Sequence, residues 1–328
     1  MDLQPKISVI IPIYNVSDYI QRCARSLFEQ SLDSIEFIFI DDNSPDESID
    51  ILTNVSLEYP KRSDQIKIIR NKVNQGQAAV RKQGILESKG EFIIHCDADD
   101  WVDSELYEKM YETAKKENAD IVFCDIINET PTGQLIRTQT KTKDSGKKLI
   151  QNWYYDPISL YCWNKLVKKD LIIDNKLLPW EGLNMWEDNG LLSRILYYSG
   201  KISYVEKVYY HYNRCNISSI TYKYGEKETN QMIQVAKNLE EFFMDKIDKD
   251  DFKDTVNAFK YYAKLNLITD SFRNYMKYKK IFPESNYIKK HIPLDAFSNK
   301  GRIRFQMVKY GLAPLFIIMF KIKTFLYH

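Results

Sequence analysis

The sequence predicts an α/β fold: a doubly wound, mostly parallel sheet followed by a helical C-terminal extension. Short apolar runs alternate with helix-patterned segments from residue 7 to 124, and such alternation builds parallel sheets through right-handed crossovers. The runs are predominantly apolar, as in strands covered on both faces. Beyond residue 223 they give way to apolar stripes at helical spacing.

Residues 7–11 (ISVII) form the first strand, closed by Pro12, which lacks the N–H of a continuing ladder. Ser17 or Asp18 suits the cap of a helix with Ile20, Cys23, Ala24, Leu27 and Phe28 on its apolar face. Residues 35–40 (IEFIFI) form a second strand ending in Asp41-Asp42-Asn43-Ser44, and Ser44-Pro45 or Asp46 opens a helix through Ile49, Leu52 and Val55. A third strand at 66–70 leads through a loop at 71–76 into a helix at 78–88. Residues 92–96 form the fourth strand; a helix at 104–118 and a fifth strand at 121–124 follow.

The second half changes character. Residues 130–148 are polar and read as a loop or exposed hairpin. Residues 160–166 (LYCWNKL) are aromatic, 184–188 (NMWED) lead into a helix, and 205–212 alternate as a strand. Two long amphipathic helices are expected over 226–278. The expected organisation is a domain over 1–222, in halves 1–105 and 106–222, and a helical region over 223–328.

With 328 residues, 44% hydrophobic and 28% charged, the chain has the makeup of a globular protein with a substantial core. A net charge of +2 carries no global signal for nucleic acid. Five scattered cysteines (Cys23, Cys96, Cys124, Cys162, Cys215) fit neither a disulfide framework nor zinc spacing, and suit reduced thiols of a cytosolic protein. No signal peptide is recognisable, and no apolar run is long enough to span a bilayer. No GxxxxGK[ST] loop and no GxGxxG after the first strand occur, which disfavours a P-loop kinase and a Rossmann dehydrogenase.

The chemistry concentrates in residues 91–103, EFIIHCDADDWVD. Asp97, Asp99 and Asp100 crowd one strand end, where like charges repel unless a cation sits among them. Hard oxygens at this spacing suit Mg²⁺ or Mn²⁺, which complete their shells with water and substrate phosphate. Standing alone, the same cluster suits an acidic helix-capping loop. Its neighbours decide between the two. Tyr14-Asn15, Asp41-Asp42, Asn74 to Gly76 and Asp97 to Asp100 each follow a strand. All four converge on the carboxyl edge of the sheet, where open α/β sheets bind ligands.

Four blocks, ISVIIPIYNVSDYIQRCARSLFEQ, FIFIDDNSPDES, NQGQAAVRKQGI and GEFIIHCDADDW, resemble in order and spacing those of the family-2 glycosyltransferases with a GT-A fold. The likeness continues more weakly through WNKL, WED and SSIT, a layout similar to bacterial enzymes of capsule, exopolysaccharide or O-antigen synthesis. The resemblance implies an inverting, Mn²⁺- or Mg²⁺-dependent transferase with a nucleotide-sugar donor and a glycan or lipid-linked acceptor. Pro12, Tyr14 and Asp42 would line the nucleoside pocket, with Asp41 supporting their loop. Asn74, Gly76 and Arg81 would surround ribose, diphosphate and sugar. Asp97 would contact ribose or the metal's water shell, Asp99 would be the main metal ligand, and Asp188 the general base. One departure is Val80-Arg81-Lys82, where the family often reads Ala-Arg-Asn.

Residue-level alternatives stand beside these roles. Asp41 suits a helix cap, Arg81 a solvated helix face, and Glu187-Asp188 an ordinary helix start. His211 suits either a third metal ligand or a structural histidine. Trp163 and Trp186 suit an acceptor platform or the core. At the level of function the alternative is a catalytically silent nucleotide-sugar or glycan-binding module of the same fold. A sugar-phosphate nucleotidyltransferase would want a glycine- and arginine-rich loop after the first strand, which PIYNVSD does not supply. From residue 300 on there are no acidic residues, and basic residues flank the apolar run 312–320. That pattern suits either peripheral contact of residues 302–328 with the inner face of a membrane, or docking of a terminal helix on the protein or in a homodimer.

Overall fold

The structure is a computed structural model that describes residues 4–139, 141, 144–155, 158–216, 225–267 and 271–290, with isolated positions between 306 and 318. The chain divides into two compact units, Met1–Ile150 with Ile158–Tyr222, and Gln151–Pro157 with Lys223–His328.

The first unit opens with β1 (Ile7–Ile13), α1 (Ile20–Phe28), β2 (Ile35–Asp41), α2 (Ser48–Leu57), β3 (Ile66–Arg70), α3 (Gln77–Glu87) and β4 (Phe92–His95). It continues with β5 (Trp101–Val102), α4 (Leu106–Glu117), β6 (Ile121–Thr130), β7 (Gly133–Arg137), α5 (Gly146–Gln151), β8 (Lys165–Lys168), α6 (Lys169–Asp174), α7 (Glu187–Tyr198) and β9 (Ile202–Asn213). The sheet runs β3-β2-β1-β4-β8-β6-β9-β5, with β7 paired to β6. Strands β3, β2, β1 and β4 are mutually parallel, as their predominantly apolar runs and the intervening helices predict. Strand β8 then inserts antiparallel between β4 and β6, with Val167 opposite both Ile93 and Ile121. The core beneath β1, β2 and β4 is built from Val9, Ile11, Phe37, Phe39, Ile94 and the buried stripe of α1.

Some boundaries differ from the sequence reading. Strand β1 runs through Pro12 to Ile13. In a parallel ladder alternate residues face alternate neighbours. Ile10 O takes the Cys96 N–H at 3.0 Å and Ile13 O takes the Asp42 N–H at 2.9 Å. Pro12 therefore faces the β4 side, beyond the last β4 pairing at His95, where no donor is required. The fifth expected strand extends to Thr130 because it pairs with β7 as an exposed hairpin. Helices α1, α2 and α4 begin two or more residues after the positions expected to open them, and none has a side-chain cap.

The second unit contains α8 (Glu226–Met244), α9 (Lys253–Leu265) and α10 (Phe272–Lys280), where two helices were expected. Leu239, Phe243, Phe252, Val256 and Phe259 form its interior, and Trp153 stacks on Phe259 at 4.3 Å. Buried Lys264 donates to Ile281 O, Phe282 O and Asn286 Oδ1 at 2.9, 2.7 and 2.9 Å, so its ammonium is fully bonded. Among the described residues no helix is long and apolar enough to cross a membrane. The SSIT segment lies outside the described residues, as does nearly all of 302–328.

Candidate functional site

Because β2, β1 and β4 are adjacent and parallel, Tyr14, Asp41-Asp42 and Asp97 leave the sheet at one edge. Tyr14 is 50% exposed there. The turn after it is fixed by the loop after β2. Asn15 N–H donates to Ser44 Oγ (2.8 Å), Val16 N–H to Ser48 Oγ (3.1 Å) and Ser17 N–H to Asp46 Oδ2 (2.8 Å). Burial raises the Asp46 pKa, but hydrogen bonds from Ser44, Ser48 and Ser17 outweigh it and hold the carboxyl at about 2. Asp46 thus braces two loops.

Asp41 accepts the Ser44 N–H at 2.7 Å and so shapes the turn that carries Asp42. Buried Asp42 holds the loop between β3 and α3. Its Oδ1 accepts from Asn71 Nδ2 (3.1 Å) and Gln75 N–H (2.9 Å), and its Oδ2 from Gly76 N–H (2.8 Å). Three of about four lone-pair directions are engaged, which leaves one for an incoming donor. Asn74 is exposed and is not drawn into this network.

Gly76 adopts φ 87° and ψ 159°, a region essentially reserved for glycine. A Cβ there would lie 2.2 Å from Asn184 Nδ2. Asn184 Oδ1 accepts the Ala78 N–H at 3.0 Å and ties the start of α3 to the segment before α7. Gly76→Ala is expected to destabilise the protein by about 1–3 kcal/mol from backbone strain alone, and to displace Asn184. Denaturant unfolding midpoints check this; an unchanged midpoint would show that the loop relaxes freely.

The acidic loop after β4 assigns its three aspartates different jobs. Asp100 is fully buried and bonded to β9 through Tyr210 Oη (2.7 Å) and Asn213 N–H (2.7 Å). The Tyr210 hydroxyl also accepts the Asp97 N–H at 3.0 Å. Asp99 accepts from Asn216 Nδ2 at 2.8 Å. Burial, then repulsion from Asp97, pushes the Asp99 carboxyl up to about 6. Asp97 meets the buried guanidinium of Arg81 at 2.7 Å.

Arg81 is the hub. Its Nη2 pairs with Asp97, and its Nε lies 3.4 Å from Glu187 Oε1. Nη1 is buried with no hydrogen-bond partner among the described residues. Burial opposes its charge, but Asp97, Glu187 and Asp188 hold it protonated. Glu187 and Asp188 sit in the first turn of α7, opened by Trp186 in a left-handed conformation (φ 66°). Burial first, then Asp188, pushes Glu187 up to about 8; burial likewise lifts Asp188 to about 6. Lys165 is also buried, donates to Tyr161 O (2.9 Å) and Asn164 Oδ1 (2.7 Å), and is lowered by burial to about 7.

Asp97 and Asp99 fit a divalent cation. Each keeps one carboxylate oxygen without a side-chain partner among the described residues, and both are hard donors. The raised Asp99 pKa reflects burial and then repulsion from Asp97, and a bound cation would offset both. Among the described residues no group of three His, Cys, Asp or Glu converges into a cage, so further ligands would have to be phosphate and water.

His211 does not join this pair. Its Nε2 meets Asp103 at 2.9 Å and its Nδ1 meets Glu129 at 2.8 Å, and it stacks on Trp101. Asp103 is therefore a partner of β9, accepting the Tyr209 N–H as well. Trp163 is buried in a stack with Tyr161, Tyr210 and Tyr212, a core residue and no platform. Sequence reasoning missed Asn184, Asn213 and Asn216, since lone asparagines carry no periodic or motif signal.

The glycosyl transferase family 2 model matches residues 8–175. EpsH of Bacillus subtilis (strain 168), named a glycosyltransferase, is 34% identical over 254 residues, covering 73% of this chain and 72% of EpsH. Among solved structures, S. aureus TarS 1–349 in complex with UDP-GlcNAc superposes with a TM-score of 0.72 at 17% identity, covering 93% of this chain and 92% of that one. The mannosyltransferase PcManGT from Pyrobaculum calidifontis, in complex with GDP-Man and Mn²⁺, gives 0.53 at 13% identity, over 95% and 81%. The architecture they share is the GT-A fold. Family model and sequence identity agree with the edge geometry just described: the chain belongs to glycosyl transferase family 2.

Proposed function

We propose that the protein transfers a sugar from a nucleotide-diphosphate donor, read here as a UDP-sugar, to a hydroxyl of a glycan or lipid-linked acceptor. The transfer inverts the anomeric carbon and serves cell-surface polysaccharide synthesis. The observation that carries this reading is the Arg81 bridge from Asp97 to Glu187, the neighbour of Asp188 in the first turn of α7. It joins the acidic strand end to a second pair of carboxylates in one buried network. The UDP-GlcNAc of the TarS complex and the Mn²⁺ of the PcManGT complex support the same substrate and ion classes.

In this reading Pro12, Tyr14 and the remaining lone pair of Asp42 line the nucleoside pocket, supported by Asp41. Asn74 and Gly76 border ribose and diphosphate. Asp97 and Asp99 hold Mn²⁺ or Mg²⁺, which when bound neutralises charge on the departing diphosphate. Asp188, as carboxylate, takes the proton of the acceptor hydroxyl. The oxygen so freed attacks the anomeric carbon on the face away from the nucleotide, the bond to the phosphate oxygen breaks, and the configuration inverts. A silent binding module has no use for a buried Glu187 and a half-buried Asp188 held near Arg81.

Calorimetry of UDP binding tests the proposal. With Mn²⁺ present, Asp99→Ala is expected to bind UDP at least about tenfold more weakly, since a carboxylate–cation–phosphate bridge is lost. Its remaining affinity should not respond to EDTA. Undiminished, EDTA-sensitive binding in Asp99→Ala would remove Asp99 as the ligand.

A further inference from the structure

We propose that α10 is a membrane-contact helix whose outward face docks on an anionic bilayer surface. At 100° per residue, Lys279, Phe272, Met276, Lys280 and Arg273 follow one another within an arc of about 120°. The opposite side faces the unit's interior. Tyr278 is buried with its hydroxyl 3.0 Å from that of Tyr261, Tyr275 packs on Tyr278, and Lys277 pairs with Glu226. On the outward arc Phe272 is 53% exposed and Met276 37% exposed. Lys279 and Lys280 make no ion pair among the described residues and Arg273 meets only the distant pull of Glu226, so the arc presents two exposed apolar side chains framed by cations.

Charge complementarity names the occupant. Residues 271–328 carry twelve Lys and Arg against two Asp and Glu, whereas the rest of the chain carries 35 against 43. The protein is thus nearly neutral only on average, and α10 lies in its basic part. A soluble polyanion would be recognised by the cations alone and would leave Phe272 and Met276 in water. Apolar side chains flanked by Lys and Arg suit the boundary between headgroups and acyl chains, where each group finds its own environment. Tyr310, Leu312, Leu315 and Ile318, among the few described positions near the C-terminus, are exposed as well. None of this depends on the catalytic reading.

Co-sedimentation of the full-length protein with vesicles tests the assignment. Wild type is expected to bind phosphatidylcholine vesicles containing phosphatidylglycerol and not phosphatidylcholine alone, with binding that weakens in salt. Phe272→Ser with Met276→Ser, and separately Arg273→Gln with Lys279→Gln and Lys280→Gln, should each lower vesicle affinity by about tenfold or more. Circular dichroism should be unchanged, since all five side chains point outward. Absence of wild-type binding would overturn the proposal. So would wild-type affinity in the Phe272/Met276 variant with polyphosphate bound as tightly as vesicles, which would mark a polyanion site. Equal affinity in every variant would place membrane contact elsewhere, for example in residues 302–328. Donor hydrolysis by the same variants reports on the active site independently, so loss of one property is not mistaken for loss of the other.

Discussion

Asp188→Asn is expected to lower sugar transfer by about 10²–10⁴-fold, the range lost with a positioned general base, while UDP affinity in the presence of Mn²⁺ stays as in wild type. Asn keeps the shape of the side chain in the first turn of α7 and its bond to the Asn189 N–H, but cannot accept a proton. The wild-type pH profile carries the same signature. Burial raises the Asp188 pKa from its ordinary value to about 6. The base is the ionised form, so activity should be present above pH 6 and fall as pH drops through it. In a kcat/KM profile the acidic limb should sit near 6 in wild type and be absent from the residual activity of Asp188→Asn. Full transfer by the variant would assign the proton to another group.

Arg81→Met should be the most damaging single change to stability in the first unit. The guanidinium is 2% exposed and engages Asp97 and Glu187 together, with Asp97 as its charged partner. Methionine fills much of the same volume, so the loss isolates charge rather than packing. Removing one member of a buried ion pair typically costs about 3–5 kcal/mol, because the partner is left buried and uncompensated. Lysine should not rescue, since one ammonium cannot reproduce a planar fork that addresses two carboxylates from different sides. Urea unfolding of wild type, Arg81→Met and Arg81→Lys checks both statements. A loss below about 1 kcal/mol in Arg81→Met would mean that Glu187 and Asp97 relax toward water or take up protons at little cost.

The half of the sheet that was legible in sequence is the half whose strands are buried on both faces. β1, β2 and β4 announce themselves as mostly apolar runs because they are buried and few polar side chains are tolerated there. β8 does not, being four residues long with Lys at both ends. Its strand state is imposed by β4 and β6 on either side, and a two-sided vacancy in a sheet leaves no mark on the segment that fills it. The candidate site shows the same division. Its acidic character was readable, but three aspartates of one loop look alike until β9 is in place. Then Asp100 is claimed by Tyr210 and Asn213, and Asp99 and Asp97 are left with oxygens to offer. Arg81 was ambiguous for a related reason: a helix pattern gives the face, and whether that face meets water depends on Glu187, more than 100 positions later. His211 was settled by its two flanking carboxylates, again from separate strands.

The Tyr210 hydroxyl touches the acidic turn twice, once at a main-chain amide and once at a carboxylate. That turn is consequently tailored by a residue synthesised some 110 positions after it. A nascent or truncated chain ending near residue 105 would display all four of the strongly matching blocks and still lack the outline that makes them useful. Shape at this edge comes last, from the strand that holds none of the chemistry.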